Sequence, residues 1–254
     1  MNTITVIPAR MGATRFPGKP MKNICGIPMI EHVYKRAQMI SNVSSTYVAT
    51  CDVEIFQHIE SIGCNVVMTS NSHERATDRT AEAVQNIEKK SEQKVDVVIM
   101  IQGDEPLLAP SMFDNMLLNF SDSSIKVVNL MSKLNTEEEF LDPNEVKVVC
   151  DSNNNALYFS REPIPSKSKW AAEISKYKQL GIIAFTRDYL LKFYQMPQTP
   201  LEKIESVDML RVLESGDTIK MVETDVITIG VDTPEELSRV ERIMENDDIF
   251  MLYK

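Results

Sequence analysis

The chain has 254 residues, 43% of them hydrophobic and 25% charged, with a net charge of -10. That length supports one large α/β domain or two small ones, and the composition is that of an ordinary globular protein. The acidic balance argues against a broad nucleic-acid surface, so an anionic substrate must be met by cations gathered at one site. No run approaches the ~18 apolar residues of a membrane span.

Residues 3–8 read as a buried strand, which the N-terminal MNTITVIPAR enters directly, without the basic and small-residue signals of a secretory leader. The following stretch, IPARMGATRFPGKP, places Arg10, Arg15 and Lys19 on a loop containing Gly12 and Gly18. Glycines let backbone N–H groups approach an anion, and the cations offset its charge, so a nucleoside triphosphate site is expected. Five residues separate the glycines and Pro20 follows Lys19, so the loop is not a P-loop. Pro20 has no hydroxyl for a metal, whose ligands must then lie elsewhere.

Helical spacing covers 29–40, with Ile30, Val33, Tyr34 and Ala37 on one face. Residues 47–50 read as a strand, 53–62 as a helix ending at Gly63, 66–68 as a strand and 77–90 as a helix. Residues 95–101 form a nearly continuous apolar run, as in a central parallel strand. This order implies a doubly wound α/β sheet with ligands beyond the carboxyl ends of its strands. The turn His73-Glu-Arg-Ala-Thr-Asp-Arg79 either caps the third helix through Thr77 or Asp78, with Arg75 and Arg79 on a solvated face, or contacts base or ribose. Asp104, in Gln102-Gly-Asp-Glu-Pro106, stands at the expected strand end, where it serves either a turn or a magnesium ion held against phosphate.

The second half reads as strands joined without long helices, at 127–131, 146–150, 156–159 and 180–185, with a polar mobile loop over 165–178. Arg161 ends one strand and suits either a substrate carboxylate or a surface ion pair. Helical segments are expected at 187–195 and 201–215, with Glu202 and Glu205 favouring the N-terminal dipole of the second. A strand near 218–223 and a helix from Pro234 complete the chain. Thr233, Pro234 and Glu236 account for a capping box, but Asp232 lies before the cap and is a candidate second metal carboxylate. No linker is evident, and the chain reads as a single domain over 1–254 whose later mixed sheet suits dimerisation. Cys25, Cys51, Cys64 and Cys150 lack CxxC spacing, and the three histidines are far apart. Reduced thiols in a cytoplasmic protein are expected, rather than zinc or disulfides.

Taken together, IPARMGATRFPGKP, VATCD, TDR, QGDEPLL, DPNEVKVV, ALYFSREPIP, LGIIAF, PLEKIES and GVDTPEEL occur in an order that resembles the CMP-Kdo synthetases, cytidylyltransferases that activate 3-deoxy-manno-octulosonate (Kdo). The resemblance runs from Ile4 to about Ile243. It implies a nucleotide-diphospho-sugar transferase (Rossmann-like) fold, a homodimer, and coupling of CTP to Kdo with Mg²⁺ for lipopolysaccharide or capsule. It places Ala9, Arg10, Arg15, Lys19, Thr77, Arg79 and Gln102 on the nucleotide, and Asp104 and Asp232 on the metal. Gln102, Arg161, Gln179 and Glu205 fall to the sugar acid, and Arg10, Lys19, Asp104 and Asp232 carry the catalysis. Three positions depart from the family. Gln179 stands where a histidine is usual, Ile183 where a tyrosine is frequent, and Arg75-Ala76 replaces a Ser-Gly. The nucleotide motifs are intact and the sugar-side motif is altered, so a different ulosonic acid is an alternative acceptor. A non-catalytic nucleotide-binding protein is the alternative from another class.

Overall fold

A computed structural model of the protein describes residues 1–12, 15–166 and 174–254. The chain falls into two compact units, Met1–Asp114 with Val226–Lys254, and Asn115–Asp225.

In the first unit, strand β1 (Thr3–Ala9) is buried at every residue. It pairs in parallel with β2 (Ser45–Thr50) on one side and β4 (Val97–Ile101) on the other, and β3 (Val66–Met68) extends the sheet beyond β2. Helices α1 (Met29–Ala37), α2 (Val53–Ser61) and α3 (Ala76–Ser91) alternate with these strands. The expected alternation is therefore present, and all four strands bring their carboxyl ends to one edge. Helix α1 stops at Ala37, short of the expected 40. Its expected apolar face is buried, but so are His32 and Arg36. Both are engaged by the C-terminal tail. The Arg36 guanidinium donates to Asp247 at 2.6 Å and to the Tyr253 hydroxyl at 3.0 Å, and His32 Nδ1 lies 2.8 Å from that hydroxyl.

The second unit is a mixed sheet, as expected. Strand β5 (Val127–Lys133) is antiparallel to β8 (Tyr177–Thr186) and parallel to β9 (Lys220–Glu223). Strand β6 (Lys147–Cys150) pairs antiparallel with both β7 (Ala156–Ser160) and β8. Part of the loop expected at 165–178 lies outside the described residues, and Tyr177 and Lys178 already belong to β8. Helix α4 (Arg187–Gln195) has its expected limits. The single helical segment expected at 201–215 is instead two helices, α5 (Pro200–Glu205) and α6 (Met209–Glu214). Ser206 between them is left-handed (φ 54°), which ends a right-handed helix.

The chain then returns to the first unit as α7 (Pro234–Met244). Val240 and Met244 of α7 pack with Ile229, Val231, Ile24, Met29, Leu107 and Phe250 in one apolar cluster. That cluster fixes where the segment 230–233 meets the sheet edge. Among the described residues no helix is long and apolar enough to cross a membrane.

Candidate active site

The site is built at the carboxyl edge of the first unit's sheet. Beyond β1 the backbone of Met11 is tied twice. Its N–H donates to the Asp52 carboxylate at 2.8 Å, and its carbonyl accepts from Gly18 at 3.0 Å. Gly18 is left-handed (φ 72°), a conformation that glycine adopts without strain, and starts a 3-10 turn, Lys19–Met21. Lys19 is thereby aimed back over the sheet edge, while Arg10 is exposed.

Asp104 follows β4 through Gly103. A Cβ on Gly103 would stand 3.2 Å from the Pro8 carbonyl oxygen and 3.3 Å from Ile30 Cδ1, so a side chain here requires the end of β1 and Ile30 to give by a few tenths of an ångström. Asp232 arrives from the other direction, in the segment before α7. The two segments are joined by the backbone, Val231 N–H donating to the Asp104 carbonyl at 2.9 Å.

Lys19 brings the two acids together. Its Nζ donates to Asp104 Oδ2 at 2.6 Å, to Asp232 Oδ1 at 2.8 Å and to the Val231 carbonyl at 3.1 Å. Arg15 donates to the second oxygen of Asp232 at 2.6 Å. Burial pulls the Lys19 pKa down, but the charge and hydrogen bond of Asp104, followed by those of Asp232, more than offset it and leave it raised. Lys19 is therefore a permanent cation at neutral pH. The expected phosphate-binding lysine and the two expected metal carboxylates are one cluster. Among the described residues no group of three or more His, Cys, Asp or Glu side chains is placed to hold a metal. The chain thus offers two carboxylates of hard oxygen, a donor set that suits Mg²⁺ completed by phosphate oxygens and water.

The turn before α3 is arranged differently from a row of exposed ligands. Thr77 and Arg79 are buried. Arg79 donates to Thr69 Oγ1 at 2.6 Å, to the Ser70 carbonyl at 3.1 Å and to the His73 carbonyl at 3.5 Å. His73 in turn hydrogen-bonds Glu82, which also accepts from the Ser70 N–H at 3.0 Å. The guanidinium of Arg79 thus fastens residues 69–73. Gln102, half-buried, is the residue directly after β4, and Ala9 is the last of β1.

In the second unit Arg161 and Glu205 meet each other. Glu205 accepts from the Tyr158 hydroxyl at 3.2 Å, Ser160 Oγ at 2.9 Å and the Arg161 N–H at 2.9 Å. The Arg161 guanidinium donates to the carbonyls of Glu205 (2.7 Å), Pro143 (2.9 Å) and Ser206 (3.4 Å). Glu205 closes α5, so the dipole argument for it does not hold: it sits at the negative end. Glu202 is buried and chelates Arg211. Gln179 is half-buried on β8, and Ile183 is buried beyond an irregularity in the same strand. The amide of Asn129 donates to the carbonyls of Leu180 (3.0 Å) and Ile182 (2.9 Å) and holds that irregularity.

Two contributors escape a reading of the sequence by motif. Asp52 has the same signal as Asp104, a carboxylate just past a parallel strand, yet its part in the loop depends on a bond to a residue 41 positions away. Glu236 reads as a helix cap, and its second bond, described below, has no local signature.

Similarity to known proteins agrees with this geometry. The family model described as cytidylyltransferase matches residues 4–221. A 3-deoxy-manno-octulosonate cytidylyltransferase of Geobacter metallireducens is 41% identical over 251 residues, covering 94% of this chain and 96% of its own. The protein of that name from Fusobacterium nucleatum is 44% identical, covering 98% and 99%. Among solved structures, a CMP:2-keto-3-deoxy-manno-octonic acid synthetase complexed with CTP superposes with a TM-score of 0.87 at 37% identity, covering 96% of this chain and 99% of that one. A cytidylyltransferase of Leptospira borgpetersenii shares the fold alone, with a TM-score of 0.66 at 15% identity over 98% of this chain and 90% of its own. The α/β fold with its largely parallel sheet is thus that of the nucleotidyltransferases, and the chain belongs to the cytidylyltransferase family, among the 3-deoxy-manno-octulosonate cytidylyltransferases.

Proposed function

We propose that this protein couples CTP to Kdo, giving CMP-Kdo and pyrophosphate for cell-surface polysaccharide. The observation that carries this reading is the junction of Lys19 with both Asp104 and Asp232 at the strand-end edge. It occurs in a chain 44% identical to a 3-deoxy-manno-octulosonate cytidylyltransferase over nearly its whole length.

The anomeric hydroxyl of the sugar attacks the α-phosphorus of CTP. The new O–P bond forms as the bond to the β-phosphate oxygen breaks, pyrophosphate takes the electron pair, and the hydroxyl proton is released. Such a transfer asks the protein for positioning and charge stabilisation rather than covalent chemistry. Arg10, Arg15 and Lys19 are assigned to the triphosphate, whose charge they offset as it shifts toward the leaving group. Ala9 and Gln102, at the ends of β1 and β4, are assigned to the nucleotide, with Gln102 also reaching the acid. Thr77 and Arg79 are assigned to cytidine, Arg79 through the turn it braces. Asp104 and Asp232 would hold Mg²⁺, which when bound neutralises phosphate charge and lowers the pKa of a bound hydroxyl. In the second unit, Gln179, Arg161 and Glu205 are assigned to the sugar acid, with Glu205 oriented by Tyr158 and Ser160.

Both units are proposed to act as one cytidylyltransferase domain in a cytoplasmic homodimer. The exposed Leu157 and Ile204 of the second unit favour an association surface, and sedimentation at micromolar concentration tests it.

The test of the reading is pyrophosphate release from CTP across a panel of 3-deoxy-ulosonates. Preference for Kdo is expected. A preference for another ulosonate would assign the altered Gln179 and Ile183 to a different acceptor, and CTP binding without release from any acid would make the protein a non-catalytic nucleotide binder.

A further inference from the structure

Glu236 is more than a helix cap. Its Oε2 accepts from the Thr233 N–H at 2.8 Å, the ordinary capping-box bond, while the Glu236 N–H donates to Thr233 Oγ1 at 3.2 Å. The same Oε2 also accepts from the backbone N–H of Asp232 at 2.7 Å. One carboxylate oxygen therefore grips two successive amides, and the first belongs to the residue whose side chain meets Lys19 and Arg15.

The geometry points to Glu236 as the positioning residue for Asp232; this rests on the proposed role of Asp232 as a metal carboxylate. Asp232 precedes the helix and has no helical hydrogen bond to fix its backbone. The backbone amides on either side of its entry are both held. Val231 is held to the Asp104 carbonyl, and Asp232 N–H is held by Glu236. Glu236 is itself carried on α7, whose Val240 and Met244 are locked in the apolar cluster with Ile24, Met29 and Phe250. The path from rigid element to reactive carboxylate is thus short: packed helix, Glu236 carboxylate, Asp232 amide, Asp232 side chain. A carboxylate that must share a divalent cation with Asp104 gains from having its backbone fixed beforehand, because supporting hydrogen bonds orient ligands and set affinity.

The capping role and the positioning role separate by substitution. Thr233→Ala removes the hydroxyl half of the box and leaves both Glu236 acceptor bonds. Glu236→Asp keeps a negative charge at the helix N-terminus but shortens its reach by one methylene. Glu236→Gln keeps length and an acceptor oxygen. Asp232→Asn reports whether Asp232 contributes to metal binding at all. The readout is Mn²⁺ binding to the full chain in the presence of CTP, followed by electron paramagnetic resonance, with thermal midpoints measured alongside.

Glu236→Asp is expected to weaken Mn²⁺ binding ~10-fold or more, within the range for loss of a ligand-orienting bond. Glu236→Gln should recover most of that loss, and Thr233→Ala should change it less than ~2-fold for a comparable fall in midpoint. Equal weakening by Thr233→Ala and Glu236→Asp would reduce Glu236 to a cap and overturn the inference, as would unchanged binding in Glu236→Asp. If Asp232→Asn itself binds Mn²⁺ like the wild type, the metal role of Asp232 fails. If Asp232→Asn loses the ion while Glu236→Asp keeps it, only the positioning role fails.

Discussion

The backbone N–H of Met11 donates to the carboxylate of Asp52 at 2.8 Å and ties the loop after β1 to the end of β2. Asp52 occupies the N-cap position of α2 but makes no side-chain cap bond to that helix. Its carboxylate is committed to the neighbouring loop, the one that carries Arg10, Arg15 and Lys19. Asp52→Ala is therefore expected to act on nucleotide binding more than on helix α2. A charge-assisted bond contributes ~1.5–3 kcal/mol, so CTP affinity by calorimetry should fall ~10-fold or more. An unchanged dissociation constant would show that the loop keeps its conformation without the tether.

Asp104 is held by Lys19, which also reaches Asp232. Asp104→Asn preserves shape but removes one of the two negative charges that Lys19 meets. Turnover is expected to fall at least ~100-fold, as for loss of one preorganised electrostatic contact. Near-normal turnover at saturating magnesium would remove Asp104 from the chemistry.

Gly103 sets where Asp104 stands. The Cβ of an alanine there would press at 3.2 Å on a main-chain oxygen of β1, which moves only if the strand end moves. Gly103→Ala is expected to destabilise by ~1–3 kcal/mol, as overpacking does, and to lower kcat by up to ~100-fold through misplacement of Asp104. A loss of stability with unchanged kcat would mean that the turn absorbs the methyl group without moving the carboxylate.

These cases show what was legible in the sequence. Asp104 was readable because it lies just past a strongly patterned strand, and the strand-end rule for parallel sheets brings such a position to the ligand edge. Lys19 was readable from its glycine-bearing loop, and Asp232 from a carboxylate that the helix cap leaves unexplained, together with the family resemblance. The bond between Asp52 and Met11, the close approach at Gly103 and the second bond of Glu236 are relations between distant segments, and no periodicity encodes them. Ser206 was invisible for another reason. Residues 201–215 keep helical spacing, and the break over 206–208 starts at a left-handed serine, a conformation that serine rarely adopts. Arg79 was expected on the nucleotide by family resemblance, and its guanidinium bonds to Thr69 and Ser70, a relation between segments that no motif encodes.

Glu82 links that turn to pH. Burial raises its pKa, but the hydrogen bonds from His73 and the Ser70 N–H more than offset this and leave it below the usual 4.5. A folded-state pKa below the unfolded one contributes stability that is present above the unfolded pKa and lost as pH falls through the folded one. Glu82→Gln should flatten the acid limb of a stability profile below about pH 4.5 without altering its shape near pH 8. An acid limb identical to that of the wild type would exclude Glu82 as a contributor.

Glu202 and Arg211 form a buried pair in the second unit, Nε to Oε2 at 2.8 Å and Nη2 to Oε1 at 2.6 Å. Arg211 also donates to the Phe193 carbonyl at 3.2 Å, so it joins α4, α5 and α6. Taking both charges out of water offsets much of their attraction, so the intact pair adds less net stability than its short bonds suggest. Breaking it from one side is a different matter. Arg211→Met leaves the Glu202 carboxylate buried without its counterion and is expected to cost ~3–5 kcal/mol in denaturant unfolding. The double variant Glu202→Met with Arg211→Met removes both charges and should recover most of that loss, leaving the cost of the Phe193 carbonyl and the Thr199 cap. Because Glu202 also accepts from the Thr199 N–H at 3.2 Å, complete recovery is not expected. If the double variant is no more stable than Arg211→Met alone, the stranded carboxylate is not the source of the cost. The guanidinium bonds that join the three helices would then be.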